Sequence, residues 1–278
     1  MKDIIRLGAA SLALMKDFIK SSILSTKDKG LFRTVESTCL FIGCPKTGHS
    51  LIGSLLDAHP RIIIAHEMGV LKYLLAGFGK NQIYSLLLEN SKSSKEMGRK
   101  VAEYQYVVPN QGQGSFEQLQ VIGDKHGEGL TLRLQARPWL FERLTRIMGQ
   151  VKFIHVTRNP YDSITSLTLP ISRNLNLEAA IDYYFGLCDT IIYYTQKIPK
   201  DHLFELRHED FLSNPSLYLK KLCSYLGVDS PDDYLKDCAS IVFTSPHKTR
   251  LKRDWSLERI DAVKKRSEKY PFLRGYSY

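Results

Sequence analysis

Nothing in this 278-residue chain is apolar for long enough to cross a bilayer as a helix. The patch Leu7–Met15 is hemmed in by Arg6, Lys16, Asp17 and Lys20, and no small-residue cleavage site follows it. Residues 1–30 therefore read as an amphipathic N-terminal extension that packs on the protein surface rather than on a membrane. Cysteine is scarce: Cys39, Cys44, Cys188, Cys223 and Cys238 form an odd, scattered set with no CxxC pair. That excludes a disulfide framework and a thiolate zinc site, and it fits a reducing, cytoplasmic compartment. No internal repeat and no Pro/Gly/Ser linker divides residues 31–278, which read as a single domain. Acid is in deficit, 29 Asp and Glu against 39 Lys and Arg, for a net charge of +10. Such a surplus suits an anionic partner. A nucleic-acid partner would call for exposed aromatics interleaved with the basic residues, or a known module, and neither is found.

What is present is alternation. Strand-like apolar runs at Thr38–Ile42, Arg61–Ala65, Leu119–Gly123, Val151–Thr157 and His202–Leu206 are separated by helical spacing at Gly48–Ala58, Leu130–Met148, Leu177–Gln196 and Pro215–Leu226. This pattern predicts an α/β fold with a mostly parallel central sheet flanked by helices. Ligands of such sheets sit beyond the carboxyl ends of the strands, where Lys46, Glu67, Lys125 and Arg158 fall. Residues 76–118, rich in glycine and serine, read as a helix plus a long loop: either a mobile cover over an acceptor site or a plain surface insertion.

The segment Gly43-Cys44-Pro45-Lys46-Thr47-Gly48-His49-Ser50 is a phosphate loop with its lysine displaced. A Walker A loop places lysine directly after the second glycine. Here His49 fills that slot and the cation is Lys46. The backbone N–H groups of such a loop, opening a helix, converge on an anion. Without the Walker lysine, and without a strand ending in a metal-holding Asp, a magnesium-triphosphate mode is weakened. A second block, Val151–Ser166, ends a hydrophobic strand in Arg158, opens a helix at Asn159-Pro160, and carries Ser166 about two turns on. Arg158 and Ser166 could grip a second phosphate, or Arg158 could simply pair with Asp162.

Together these blocks resemble the sulfotransferases. Phe41–Pro60, closing on Leu56-Asp57-Ala58-His59-Pro60, looks like their 5′-phosphosulfate segment, with most likeness to the tyrosylprotein and bacterial branches. Val151–Ser166 is similar to their 3′-phosphate segment, and Arg207-His208-Glu209-Asp210-Phe211 with Asn214-Pro215 to a third element. The resemblance implies a P-loop-type fold and transfer of a sulfuryl group from 3′-phosphoadenosine 5′-phosphosulfate (PAPS) to an acceptor hydroxyl or amine, without a metal. By this likeness Lys46, Thr47, Gly48, His49 and Ser50 cradle the phosphosulfate, and Arg158 and Ser166 hold the 3′-phosphate. Glu67 matches the position of the family's catalytic base, with His66 its rival. Lys125 matches an active-site lysine, although the proline of that short element is missing.

Two departures stand out, His49 for a usual threonine and His208 for a tyrosine beside the adenine, and a basic stretch at Ser245–Trp255 has no assigned contacts. That stretch lies where the family closes a loop over the donor, but a solvated charge run reads equally well. A nucleotide kinase or NTPase of related fold, and a catalytically silent family member, stand as the alternatives. The acceptor (glycan, lipid, small alcohol or tyrosine) is not legible.

Overall fold

The computed structural model describes the backbone of residues 2–93, 99–101 and 104–278, and the side chains of 11–93 and 105–278. Its centre is a five-stranded sheet made of β1 (Ser37–Ile42), β2 (Ile62–His66), β5 (Val121–Lys125), β6 (Val151–Thr157) and β7 (Leu203–Arg207). The order is β2-β5-β1-β6-β7 and every pairing is parallel. A small antiparallel hairpin, β3 (Arg99–Val101) with β4 (Tyr104–Tyr106), stands apart. From β1 the chain crosses to the edge strand β2, returns to β5 beside β1, and then builds β6 and β7 on the other side, so the loop after β1 lies at the switch point, where such sheets bind ligands.

Helices cover both faces. They are α1 (Lys2–Lys27), α2 (His49–Leu56), α3 (Val70–Leu75), α4 (Lys80–Lys92), α5 (Gly127–Ala136), α6 (Leu140–Met148), α7 (Pro160–Thr168), α8 (Leu177–Thr195), α9 (His208–Ser213), α10 (Pro215–Leu226), α11 (Asp232–Ser240) and α12 (Leu257–Ser267). β1 is buried along its whole length, as a central parallel strand must be, and its side chains alternate between two cores. Leu40 and Ile42 join the larger core with Ile63, Ile122 and Phe153, whereas Cys39 and Phe41 join α2, α10 and α11 on the other side.

Two boundaries differ from the sequence expectation for identifiable reasons. The helix expected over 130–148 is two helices, because Pro138 forces Arg137 out of the helical region (φ −144°, ψ 79°). β5 runs on to Lys125 rather than ending at Gly123, because Asp124 and Lys125 are both buried by tertiary packing. Within 76–118, α4 is a core helix: Ile83 and Leu87 are fully buried, and the Tyr84 hydroxyl lies 2.7 Å from that of Thr38. Further on, Gln113 is pinned, accepting from the Val108 N–H at 3.1 Å and donating to the Ser54 carbonyl at 3.1 Å. The expected mobile cover falls in part on 94–98 and 102–103, which lie outside the described residues. α1 packs along α4, and among the described residues no helix is long and apolar enough to cross a membrane.

Candidate active site

The loop after β1 is shaped by three residues with positive φ: Gly43 (156°), Lys46 (62°) and Gly48 (96°). Glycine accepts this freely, whereas Lys46 carries the strain that L-residues meet in the left-handed region, on the order of 1 kcal/mol. The loop is held from beneath by Thr131 of α5, whose hydroxyl accepts from the Gly43 N–H at 3.1 Å and lies 2.9 Å from the Gly127 carbonyl, to which it can donate. The Thr47 hydroxyl donates to the Cys44 carbonyl at 3.1 Å. Gly48 then caps α2 without any side-chain acceptor, so the first N–H groups of that helix face the loop's concave side.

His49 does something other than line that concavity. Its ring is buried, edge-on to Phe41 at 5.6 Å, with Nε2 at 3.3 Å from the Thr47 hydroxyl. A Cβ on Gly43 would meet it at 2.8 Å and one on Gly127 at 2.4 Å, so the imidazole is wedged between the two glycines. Burial, then the charges of Lys125, His155 and His208, hold it well below the ordinary histidine range, hence neutral. The imidazole expected among the cradle's side-chain donors is a prop beneath the loop, because its ring fills the space those two glycines leave.

Three further groups reach the loop or the helix it opens from neighbouring strand ends. Arg158, directly after β6, donates to the Lys46 carbonyl at 3.0 Å, to the His247 carbonyl, and to the Thr249 hydroxyl at 3.2 Å. His208, directly after β7, lays its ring on Gly48, where a Cβ would lie 2.3 Å from Nδ1. Burial first, then Arg158 and His247, lower the pKa of His208 to about 3. Lys125, the last residue of β5, runs its stem across Gly53 of α2, 2.9 Å from where a Cβ would stand.

Lys125 ends on Glu67. Its Nζ donates to Oε1 at 2.8 Å; the lysine side chain is 3% exposed and the glutamate 54%. Partial burial raises the Glu67 pKa, but the Lys125 charge and hydrogen bond, with His66 and His126, outweigh it and leave the carboxyl below its usual value. Glu67 follows β2 in a left-handed conformation (φ 56°). Two residues that sequence reasoning missed build this turn. Buried Asp124 accepts from the Met68 and Gly69 N–H groups at 3.0 and 2.7 Å, and Asn90 of α4 accepts from the His66 N–H at 2.7 Å. An acid at the end of an apolar strand was the only available signal for Asp124; Asn90 gives none.

On the far side, α7 is capped by its own Asn159, which accepts from the Tyr161 N–H at 3.0 Å, and the Asn159 N–H donates to Glu209 at 2.9 Å. The alternative partner considered for Arg158 is taken: Asp162 accepts from the Arg250 guanidinium at 2.6 Å and from its N–H at 2.8 Å. The basic 245–255 stretch is thus a strap across α7 rather than a solvated run, since Trp255 donates to Thr165 at 3.1 Å and Arg253 to Thr168 at 3.0 Å. Ser166 is buried in this helix and donates back to the Asp162 carbonyl at 2.8 Å.

The arrangement is an anion-ready loop with a guanidinium on one flank and a carboxylate–ammonium pair on the other. The chain aligns with a sulfotransferase domain from the Synechococcus PCC 7002 olefin synthase (17% identity, 83% of this chain and 88% of that one, TM-score 0.50). It also aligns with sulfotransferase STF9 from Mycobacterium avium (10%, 93% and 83%, 0.53) and a sulfotransferase from Alicyclobacillus acidocaldarius (14%, 84% and 93%, 0.50). At these identities the likeness is one of fold. No curated protein matches the sequence. The sequence profile of the sulfotransferase family, however, matches residues 40–232, most of the chain and every element of the site but the strap, and the chain therefore belongs to that family.

Proposed function

We propose that the protein transfers a sulfuryl group from PAPS to an acceptor hydroxyl or amine and releases 3′-phosphoadenosine 5′-phosphate. In this reading the N–H groups of Thr47, Gly48, His49 and Ser50, with the Lys46 ammonium, hold the phosphosulfate end. Arg158 and Ser166 hold the 3′-phosphate, Ser166 by turning its hydroxyl away from Asp162. Glu67 takes the proton as the acceptor oxygen or nitrogen bonds to sulfur, and the sulfur–oxygen bond to the phosphate breaks. Lys125 and Lys46 neutralise charge that builds on the departing phosphate oxygen. His66, the rival base, is one residue from Glu67 and lies opposite Lys125 in the β2–β5 register.

The observation that carries this reading is that Arg158 and His208 meet on the loop while Lys125 crosses α2, the helix the loop opens, with Glu67 at the end of Lys125. A lowered carboxyl pKa keeps Glu67 ionised across the neutral range, while the Lys125 charge that lowers it also weakens it as a base. Five free, buried cysteines support a reducing compartment such as the cytoplasm. Calorimetry decides between donors: 3′-phosphoadenosine 5′-phosphate should bind without magnesium and more tightly than ATP-magnesium. The reverse preference would return the site to a kinase or NTPase.

A further inference from the structure

α1 shows two unlike faces. Its inner face holds it to the protein: Leu14 packs on the core, Asp17 accepts from the Tyr73 hydroxyl at 2.9 Å, and Ser22 accepts from Gln82 at 2.9 Å. Its outer face carries Leu12, Met15, Ile19 and Ile23, spaced three and four apart, and these side chains are 51, 56, 57 and 68% exposed. Phe18, 44% exposed, borders them, its ring edge on Phe78 at 5.1 Å. An apolar stripe this long, about three turns of one helix, is not ordinary surface scatter.

The exposed charges of residues 12–29 have one sign. Lys16, Lys20, Lys27 and Lys29 are exposed, Lys20 also touching Glu89 at 3.4 Å. The two acids of the same stretch are turned inward, Asp17 to Tyr73 and Asp28 to the Ser85 hydroxyl at 3.2 Å. We propose that α1 lies in the interfacial plane of an anionic lipid bilayer, its aliphatic stripe among the acyl-chain ends and its lysines on the headgroups. A second copy of this chain fits less well, because stripe-to-stripe packing would bring two lysine rows together on molecules of net charge +10. A bilayer with acidic lipids offers the apolar depth and the opposite charge at once.

Flotation of the full chain with vesicles of phosphatidylcholine alone or of phosphatidylcholine with phosphatidylserine tests this. The protein should float with the serine-containing vesicles only, and high salt should release it. Ile19→Asp with Ile23→Asp should abolish recovery while leaving thermal unfolding unchanged, since both side chains are exposed. Lys16→Glu with Lys27→Glu, which leaves the apolar stripe whole, should reduce recovery several-fold. Equal recovery with both vesicle types, or none with either, overturns the proposal. So does a dimer in sedimentation that Ile19→Asp and Ile23→Asp dissolve in a protein that ignores vesicles.

Discussion

Glu67 and Lys125 are joined twice. The ammonium donates to the carboxylate at 2.8 Å, and the Glu67 N–H donates to the Lys125 carbonyl at 3.3 Å. The backbone bond fixes where the carboxylate starts and the side-chain bond where it ends. Glu67→Gln should therefore leave binding of 3′-phosphoadenosine 5′-phosphate intact by calorimetry and lower turnover about 10²- to 10⁴-fold, the usual worth of a positioned base. Unchanged turnover would move the base to His66 or elsewhere.

The same pair sets a pH limb. Because the Glu67 carboxyl lies below its usual value, its protonation and the loss of rate should come at lower pH than for an ordinary glutamate. Lys125→Met removes the charge that lowers it, and burial then raises it, so the acid limb of kcat should move upward. A limb that stays in place would separate Lys125 from the ionisation that matters.

His208 acts on stability in the opposite sense from a gained ion pair. Its pKa is pushed down to about 3 in the folded chain, so between there and about 6.5, the ordinary histidine value, only the unfolded chain takes up the proton. Stability should fall as pH is lowered through that window, by up to about 1.4 kcal/mol per pH unit from this group. His208→Gln should flatten the decline in Tm between neutral and acid pH. His49, also held neutral, maintains part of the slope.

Arg158→Ala should weaken binding of the desulfated product roughly ten- to hundredfold, the worth of hydrogen bonds to a charged group. ATP, which has no 3′-phosphate, should bind about as before. Equal loss for both ligands would mean that Arg158 shapes the loop through the Lys46 carbonyl instead.

Arg250→Ala leaves Asp162 buried without its guanidinium, and a broken buried pair costs about 3 kcal/mol. Limited proteolysis should then cut within 245–255, where the wild-type strap is tied to α7. An uncut strap would show that Trp255 and Arg253 suffice to hold it.

Much of this was legible in advance, and the reasons differ by element. β1 and β6 are continuous apolar runs, and Asn159-Pro160 announces a helix start through its own capping chemistry, so local sequence was enough. The places of Glu67, Lys125 and Arg158 at strand ends were legible because each follows or closes an apolar run. The strap's contacts were not, since Asp162 and Arg250 are 88 residues apart and nothing local links them. Nor was the role of His49: a position in a glycine loop does not reveal whether its side chain lies above the backbone or below it.

That imidazole makes the loop a fitted part rather than a portable motif. Residues 43, 49 and 127 share one volume, so the size of any one of them constrains the other two. Replacing His49 by threonine alone should leave a gap and loosen the turn. Gly127, whose φ is not positive, could then accept alanine, so the pair of changes should be better tolerated than either one. Among related chains, a small residue at 49 and a larger one at 127 should be found together.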